Sequence, residues 1–417
     1  MSTLTLTTRG ALRKSHLREA NERLVLNLVR QTPQISRSDI VRITGLPPSS
    51  VTFIVNRMMR DGLLCEAGSQ GPKQVGRRPV ALRLRPEAMM VVGVEISQAH
   101  SRIVAADLHG HMLRRRVVGW RPDHKLFLVR VREAIRALTE RISASRLLGV
   151  GVSLPGTIDR TTGKVIAAEN LGWFDVEAGR ILSEGIPTNF YFENNAKLGA
   201  LAERWFCEPG SKPLENFVFV VMRGGLGTGV IADGRLLQGA SGEASEFGHT
   251  ILYPEGRRCV CGNSGCWEEY ASDLALERLY AERRGIANGV EKPDAEEIVR
   301  LGRNGDALAL AALRETAAYL GMGFANLNAA LNPEAIVVGD WLASGWDLLR
   351  DWVWEALRSR APQRYLTRLR IVPARHGADS MLMGALALAF SEFFTQSSGS
   401  NGRGTALNSV SLHTSSA

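Results

Sequence analysis

Four side chains in one short segment of the sequence have the types and the spacing needed to hold a metal ion. They are His249, Cys259, Cys261 and Cys266, and three thiolates with one imidazole complete a tetrahedral zinc shell. The alternative is a set of buried structural cysteines beside an unrelated histidine. It is disfavoured because the chain has only five cysteines in 417 residues and three of them cluster here. Since no ligand position remains for water, the pattern predicts a structural Zn²⁺ rather than a catalytic one.

The cysteine usage also indicates a compartment. An odd number of cysteines with one tight cluster is typical of a metal site in a reducing environment, not of a disulfide framework. We therefore expect a cytoplasmic protein, with Cys65 and Cys207 as ordinary core residues. The sequence has no apolar run of about 18 residues, and its first residues lack the apolar core of a secretory signal. These features predict no membrane partner.

The positive charge of the chain is concentrated at one end. Residues 1–90 hold 15 of the 51 Lys and Arg and 6 of the 42 Asp and Glu, so the remainder holds 36 of each sign. The whole net charge of +9 therefore lies in this first segment. A localised basic excess of this kind favours a nucleic-acid-binding module joined to a neutral domain.

The elements of this basic segment predict a winged helix-turn-helix over residues 19–85, after a flexible arm over residues 1–18. A helix over 19–30 is followed by a second helix that starts at a capping box of Ser36 and Asp39. A third helix begins at the prolines 47–48 and buries one apolar stripe. Two short strands then flank a loop that ends in Gly-Arg-Arg-Pro, which suits a narrow minor groove.

The alternative for this segment is a generic three-helix bundle with solvated polar faces. The order helix–helix–helix–wing and the localised charge favour binding to double-stranded DNA. The predicted DNA-contacting residues are on the polar face of the third helix and in the wing: Ser49, Ser50, Thr52, Asn56, Arg57, Arg60, Arg77 and Arg78.

From about residue 90 the pattern changes to apolar strand-like runs that alternate with helical stretches, which predicts an α/β domain. The clearest runs are VVGVEI, RIVAADL, LLGVGVSLP, NFVFVVM, EAIVVG and RLRIVPA. Residues 395–417 are rich in Ser, Gly and Thr and predict a disordered tail.

Several motifs, in the same order, resemble those of the ROK family (repressors, open reading frames and sugar kinases). The segment 248–270, GHTILYPEGRRCVCGNSGCWEEY, is similar to the family's zinc signature, and the basic segment resembles the winged helix of the family's repressors. Further similar segments are GVGVSLPGTIDRTTGKV at 149–165, FENNAKLGALAERWF at 192–206, GGLGTGVIADGRLLQGASGEASEFGH at 224–249 and NPEAIVVGD at 332–340.

The resemblance implies a two-lobed actin/hexokinase-like (ribonuclease H-like) domain over residues 86–394, with ligand bound between the lobes. Lobe one is expected at about 86–200 together with a C-terminal helix at 378–394, and lobe two at about 201–377. Family sugar contacts fall, by motif, on Gly156, Asn194, Asn195, Glu246, His249 and Glu268.

Three departures from the family's kinases argue against phosphoryl transfer. Asn195 stands where the family has a catalytic aspartate, and an amide cannot accept a proton at neutral pH. The first phosphate loop is Glu-Ile-Ser-Gln-Ala at 95–99, which lacks the glycines and threonine that expose backbone N–H groups to phosphate. On the adenosine side, a glycine pair becomes Gly339-Asp340, followed by bulky Trp341. The glycine-rich loop at 225–229 survives, which is weak evidence on its own.

These observations predict a sugar-responsive transcriptional regulator, most simply a repressor, without enzyme activity. A homodimer or higher homo-oligomer is expected because two-fold pairing of recognition helices matches a palindromic operator. The rival hypotheses are an active ATP-dependent sugar kinase with a DNA-binding domain, and a zinc-dependent DNA-binding protein that senses no ligand. A response to a protein partner also stays open.

Overall fold

The computed structural model describes residues 14–32, 34–67, 80–143, 146–207, 211–287 and 289–395. The chain forms two compact units, one of residues Met1–Ala88 with Ser391–Ala417 and one of residues Met89–Phe390. Over these described ranges, no helix combines the length and the apolar character that a bilayer crossing needs. The predicted wing residues Arg77 and Arg78 and the predicted tail beyond residue 395 lie outside the described residues.

Helices alternate with strands along most of the described chain. The helices are α1 (Lys14–Gln31), α2 (Arg37–Thr44), α3 (Pro48–Arg60), α4 (His124–Thr139), α5 (Ala178–Ser183), α6 (Asn195–Trp205), α7 (Glu268–Ala271), α8 (Asp273–Arg284), α9 (Ala295–Arg303), α10 (Ala307–Leu331), α11 (Asp340–Ser344), α12 (Trp346–Arg358), α13 (Gln363–Leu366) and α14 (Ser380–Thr395). The strands are β1 (Leu64–Ala67), β2 (Ala81–Leu84), β3 (Met90–Ile96), β4 (His100–Asp107), β5 (Met112–Gly119), β6 (Leu147–Leu154), β7 (Thr157–Asp159), β8 (Lys164–Ala168), β9 (Trp173–Val176), β10 (Phe190–Asn194), β11 (Phe217–Met222), β12 (Leu226–Ala232), β13 (Arg235–Leu236), β14 (Ala335–Val338) and β15 (Arg370–Pro373).

The first helix differs from its prediction at two points. It begins at Lys14, so residues 14–18 belong to a helix and not to a flexible arm. Lys, Leu and Arg, three of the five residues of this segment, are strong helix formers. The buried side chains are Val25, Leu26 and Val29, whereas Leu24 is 41% exposed. The apolar spacing predicts a buried face of Leu24, Val25, Leu28 and Val29, so the observed face is rotated by about one residue from the predicted one.

The second and third helices follow their sequence signals. Ser36 and Asp39 form the predicted capping box, in which each side chain bonds the other's backbone N–H. Gly45 ends α2 in the left-handed conformation with φ of 68°. Helix α3 begins at Pro48 and buries Val51, Ile54, Val55 and Met58. Strands β1 and β2 pair antiparallel as the base of the predicted wing.

Two five-stranded sheets organise the larger unit. The first has the order β10-β6-β3-β4-β5 and the second β13-β12-β11-β14-β15. All six apolar runs predicted as strands lie in these sheets. No pattern in the sequence predicts β5, whose residues are almost all exposed, because an exposed edge strand needs no apolar alternation. A small sheet of β7, β8 and β9 adds to the first lobe.

Parallel pairing places the functional loops together. Strands β10, β6 and β3 run parallel, as do β11, β14 and β15. In open α/β sheets, ligands bind outside the carboxyl ends of such strands. The residues directly after β3, β6, β10, β11 and β14 are therefore the natural place for a site.

Candidate functional site

The predicted metal ligands converge in the structure. One donor atom from each of His249, Cys259, Cys261 and Cys266 lies within 4.8 Å of every other. The Sγ atoms of Cys261 and Cys266 are 3.6 Å apart, and Cys259 Sγ is 3.7 Å from His249 Nδ1. Zn–S bonds of about 2.3 Å in a tetrahedron place sulfur atoms roughly 3.8 Å apart. The donor set and its spacing therefore fit a four-coordinate zinc ion.

A tight loop holds these donors in place. Gly265 has φ of 78°, and a Cβ there would lie 1.6 Å from the carbonyl oxygen of Tyr253. The amide of Gly265 donates to Arg257 O, and Cys259 N donates to Asn263 O. Burial raises the pKa of the Cys266 thiol to about 11, so this side chain ionises at neutral pH only when a cation compensates it.

The other two cysteines are outside this cluster. Cys65 and Cys207 are both only half-buried, which corrects their prediction as core residues. Cys65 lies in β1, which forms a two-stranded sheet with β2. Such a small sheet buries its residues on one face only.

A polar cavity opens at the carboxyl ends of the strands. Its walls come from the turn after β3, from Pro155 after β6, from Asn195 at the start of α6, and from Arg223 after β11. Glu95, Ser97, Gln98 and Asn170 complete the polar lining. Because both sheets contribute, the cavity lies in the cleft between the two lobes of the larger unit.

The predicted sugar contacts on the first lobe are held by the backbone around them. Asn194 caps α6 and accepts from the amide of Ala196 at 2.9 Å, while its Nδ2 donates to Gly156 O at 3.0 Å. Gly156 has φ of 75°, and a Cβ there would meet Ala167 O at 2.1 Å. Asn194 and Gly156 therefore fix the loop, and Asn195 is the one of the three that lines the cavity.

The predicted contacts on the second lobe adjoin the metal cluster. His249 Nδ1 is 3.2 Å from Glu268 Oε1, and Glu268 Oε1 is 3.0 Å from Cys259 Sγ. Glu246 is exposed as a residue, but desolvation of its carboxyl group raises the pKa above its usual value, against the opposing effect of His249 and Lys197. Glu268 also faces the Leu226 amide of the glycine-rich loop at 3.5 Å, whereas Glu246, His249 and Glu268 are not among the residues that line the cavity.

A buried ionic network crosses the cleft, and sequence reasoning missed most of it. Arg223 Nη1 is 2.7 Å from Glu95 Oε1, and its Nε bonds Asp340. Arg102 Nε donates to the second oxygen of Glu95 at 2.6 Å, and its Nη1 bonds Asp379. Glu95 and Asp340 are 3% and 6% exposed. One sequence feature could have pointed to this network: Arg223 is a charged residue placed directly after the apolar strand β11.

The predicted DNA surface is only partly available. Ser49, Thr52, Asn56 and Arg60 are exposed on α3, with Ser50 half-buried. Arg57, however, pairs with Glu22 of α1 at 2.7 Å, and this ion pair serves packing between helices. Sequence reasoning did not identify Phe53, which is 51% exposed on the polar face of α3. The Arg18 guanidinium lies 4.8 Å from the centre of its ring.

Two features therefore define the class of protein: a two-lobed α/β domain with a polar interlobe cleft, and a winged helix in the same chain. Residues 91–392 match the model of the ROK family, and residues 18–64 match a winged helix-turn-helix DNA-binding family. The chain belongs to the ROK family. The expected fold class is confirmed.

Among curated relatives, the xylose repressor of Caldicellulosiruptor bescii is 26% identical over 391 residues, covering 91% of this chain and 97% of the relative. The DNA-binding transcriptional dual regulator NagC of Escherichia coli is 27% identical over 391 residues, with 89% and 92% covered. These similar proteins are repressors or regulators by name, and neither is named as a kinase.

Solved structures of both a regulator and a kinase of the family are similar to this chain, and the regulator matches more of it. A ROK family transcriptional regulator, described as a homologue of the Escherichia coli MLC protein, superposes with a TM-score of 0.76 at 26% identity, covering 91% of this chain and 97% of that chain. A ROK family glucokinase from Streptomyces griseus, in complex with glucose and AMPPNP, gives 0.64 at 26% identity, with 72% and 99% covered. The glucokinase thus matches less of the chain than the regulator does.

Proposed function

We propose that this protein is a cytoplasmic, sugar-responsive transcriptional regulator, acting as a repressor, with a structural zinc ion and no kinase activity. The carrying observation is the constellation of Glu246, His249 and Glu268 beside a cleft whose catalytic aspartate position holds Asn195. The same chain carries a winged helix. The names of the similar proteins, a xylose repressor and an N-acetylglucosamine repressor among them, support this function.

The chemistry of the cleft suits a sugar. A sugar presents adjacent hydroxyl groups, and a carboxylate accepts hydrogen bonds from two of them at once. Glu246 and Glu268 supply such acceptors from the second lobe, and the Asn195 amide supplies a donor and an acceptor from the first. Asn195 can hold a hydroxyl in this way, but it cannot remove its proton. The ligand is therefore bound and not transformed.

The proposed zinc ligands are His249, Cys259, Cys261 and Cys266. A zinc ion there would neutralise the thiolates and fix the ring of His249. Glu268 follows the proposed zinc ligand Cys266 by two residues. A bound zinc ion would therefore also hold the Glu268 carboxylate, a proposed sugar contact, in place. Loss of the metal is therefore expected to impair the cleft as well as the loop.

For DNA, the proposed contacts are Ser49, Ser50, Thr52, Asn56 and Arg60 of α3, with Arg77 and Arg78 in the wing. Arg57 is proposed as a contact to the DNA phosphate backbone, for which its ion pair with Glu22 would have to open. A homodimer would present two such helices to a palindromic operator. Sugar binding would shift the population between an open and a closed cleft, and thereby the affinity for DNA.

The test is selection of binding sites from a random double-stranded DNA library with the full chain, followed by titration of the selected site with and without sugars. We expect a palindromic site whose affinity changes at least tenfold with one sugar. Replacing Arg60 by Ala should weaken binding to all sequences, because a phosphate contact carries no base information. Absence of any selected site, or of any sugar effect, would contradict the proposal.

A further inference from the structure

We infer that the ligand of this cleft is an uncharged sugar, and that phosphate esters of sugars are excluded together with nucleotides. This inference rests on the proposed function and adds the chemical class of the ligand. It comes from how the protein already uses two kinds of group that bind phosphate, the guanidinium groups and the backbone N–H groups at the cleft.

The only guanidinium in the cavity lining described by the structure is already neutralised. Arg223 is bound on one side by Glu95 and on the other by Asp340. Both carboxylates are almost fully buried, so water does not weaken either pair as it does at a surface. Interaction with these carboxylates raises the pKa of Arg223 although its burial acts in the opposite direction. A phosphate would have to displace one of them.

Arg102, the second cation of the network, is also fully engaged. It bonds Glu95 and Asp379 through separate nitrogens, and a third nitrogen donates to Ala378 O at 2.7 Å. Three carboxylates therefore face two guanidinium groups in this network. The network therefore leaves no uncompensated positive charge to attract a phosphate, and a neutral hydroxyl needs none.

The glycine-rich loop is occupied in the same way. Backbone N–H groups in such a loop are ready donors to phosphate, but here Gly224 N donates to Asp273 Oδ2 at 2.7 Å and Gly225 N to Asp273 Oδ1 at 3.2 Å. The next amide, of Leu226, faces Glu268 Oε2 at 3.5 Å. An internal carboxylate thus takes the donors that a phosphate would need.

The left-handed backbone at Asp340 indicates which residue to change. Its φ is 56°, a conformation that glycine adopts without strain and other residues adopt at a cost. Asp340→Gly should therefore be tolerated, and it would release one side of the Arg223 guanidinium toward the cavity. Asp233→Gly is a matched control, because Asp233 is exposed and has φ of 49° in the turn between β12 and β13.

The experiment is calorimetric titration of the full-length protein with D-glucose, N-acetyl-D-glucosamine and D-xylose, and with glucose 6-phosphate, N-acetylglucosamine 6-phosphate and xylose 1-phosphate. We expect one free sugar to bind at least about tenfold more tightly than its ester, since one uncompensated charge at close range is worth a factor of that order. An ester that binds as tightly as, or more tightly than, its parent sugar would overturn the inference and leave the proposed function intact.

The two variants test the cause. Asp340→Gly should raise the affinity for the ester by about tenfold, while Asp233→Gly leaves it unchanged. No gain in Asp340→Gly, with a melting temperature near that of the wild type, would overturn the assignment of exclusion to the occupied guanidinium. If no sugar and no ester binds the wild type, the sugar response itself fails, which is a result distinct from tighter binding of an ester.

Discussion

The cysteine cluster and the interlobe cleft are adjacent, yet they are specified by the sequence in opposite ways. All four donors of the cluster come from residues 249–266, and local turns such as that at Gly265 set their spacing. The ionic network of the cleft joins Glu95 to Asp379, nearly three hundred positions further along the chain. A local site can be identified from spacing alone, whereas a distributed site becomes visible only when the strands are paired.

The largest effect is expected from breaking the local site. Cys266 is completely buried, and Cys266→Ser removes a ligand that no neighbouring cysteine can replace. We expect loss of bound zinc and a fall of at least about 4 kcal/mol in the free energy of unfolding, as is typical when a structural metal is lost. Metal analysis and denaturant unfolding measure both.

Cys207→Ser is the matched control, since Cys207 belongs to the same unit and lies outside the cluster. It should retain the metal. If Cys266→Ser kept one zinc per chain with unchanged stability, the cluster would not be the zinc site.

The next effect concerns one of the proposed sugar contacts. Glu246→Gln should weaken sugar binding by roughly 10- to 100-fold, because a hydrogen bond to a charged group contributes about 1.5–3 kcal/mol. Zinc content and DNA affinity without sugar should not change. The measurement is calorimetry with the sugar that binds the wild type, and Glu243→Gln, an exposed carboxylate three residues earlier, should bind normally. Equal losses in both variants would argue for a general charge effect.

A smaller effect is expected at another locally specified feature, the capping box of α2. Ser36→Ala should cost about 1 kcal/mol of stability, the usual value for a lost N-cap. The Ser36 hydroxyl is also the main cause that lowers the pKa of Asp39 below its usual 3.8. The stabilisation should thus be present above about pH 3.8 and be lost as the pH falls through the lower folded value.

Denaturant unfolding of the wild type and Ser36→Ala at several pH values checks both statements. Ser38→Ala serves as the control, since Ser38 is exposed and bonds only the Ser36 hydroxyl among the described residues. A cost in Ser38→Ala equal to that of Ser36→Ala would place the stabilisation outside the cap.

The smallest effect is expected where a single residue is restored in the distributed site. Asn195→Asp returns the carboxylate of the family's kinases, but Arg223 and the Gly224 and Gly225 amides remain bound to internal carboxylates. We expect no ATP consumption above background with any sugar in a coupled assay. Measurable turnover would mean that the phosphate sites are accessible, and that Asn195 alone prevents catalysis.

The same contrast explains what could be predicted. The α3 stripe, the capping box, the six apolar strands and the donor cluster each follow from short-range spacing, and the structure confirms these local features. Arg223, Arg102 and Asp273 could not be assigned, because their partners are defined by which strands and helices meet. Phe53 was missed for another reason: an exposed aromatic residue on a polar face does not stand out in a pattern that searches for buried stripes. The zinc ion, the sugar contacts and the DNA contacts stay predictions.

Glu268 contacts both His249 and Cys259 while also belonging to the proposed sugar contacts, and this shared position would make the proposed zinc ion and the proposed sugar thermodynamically dependent on each other. Whatever factor zinc adds to the affinity for sugar, sugar must add to the affinity for zinc. A cell short of zinc would therefore hold a fraction of receptor that ignores its sugar, and abundant sugar would protect the receptor from chelation. The regulator would then report two nutrients through one equilibrium.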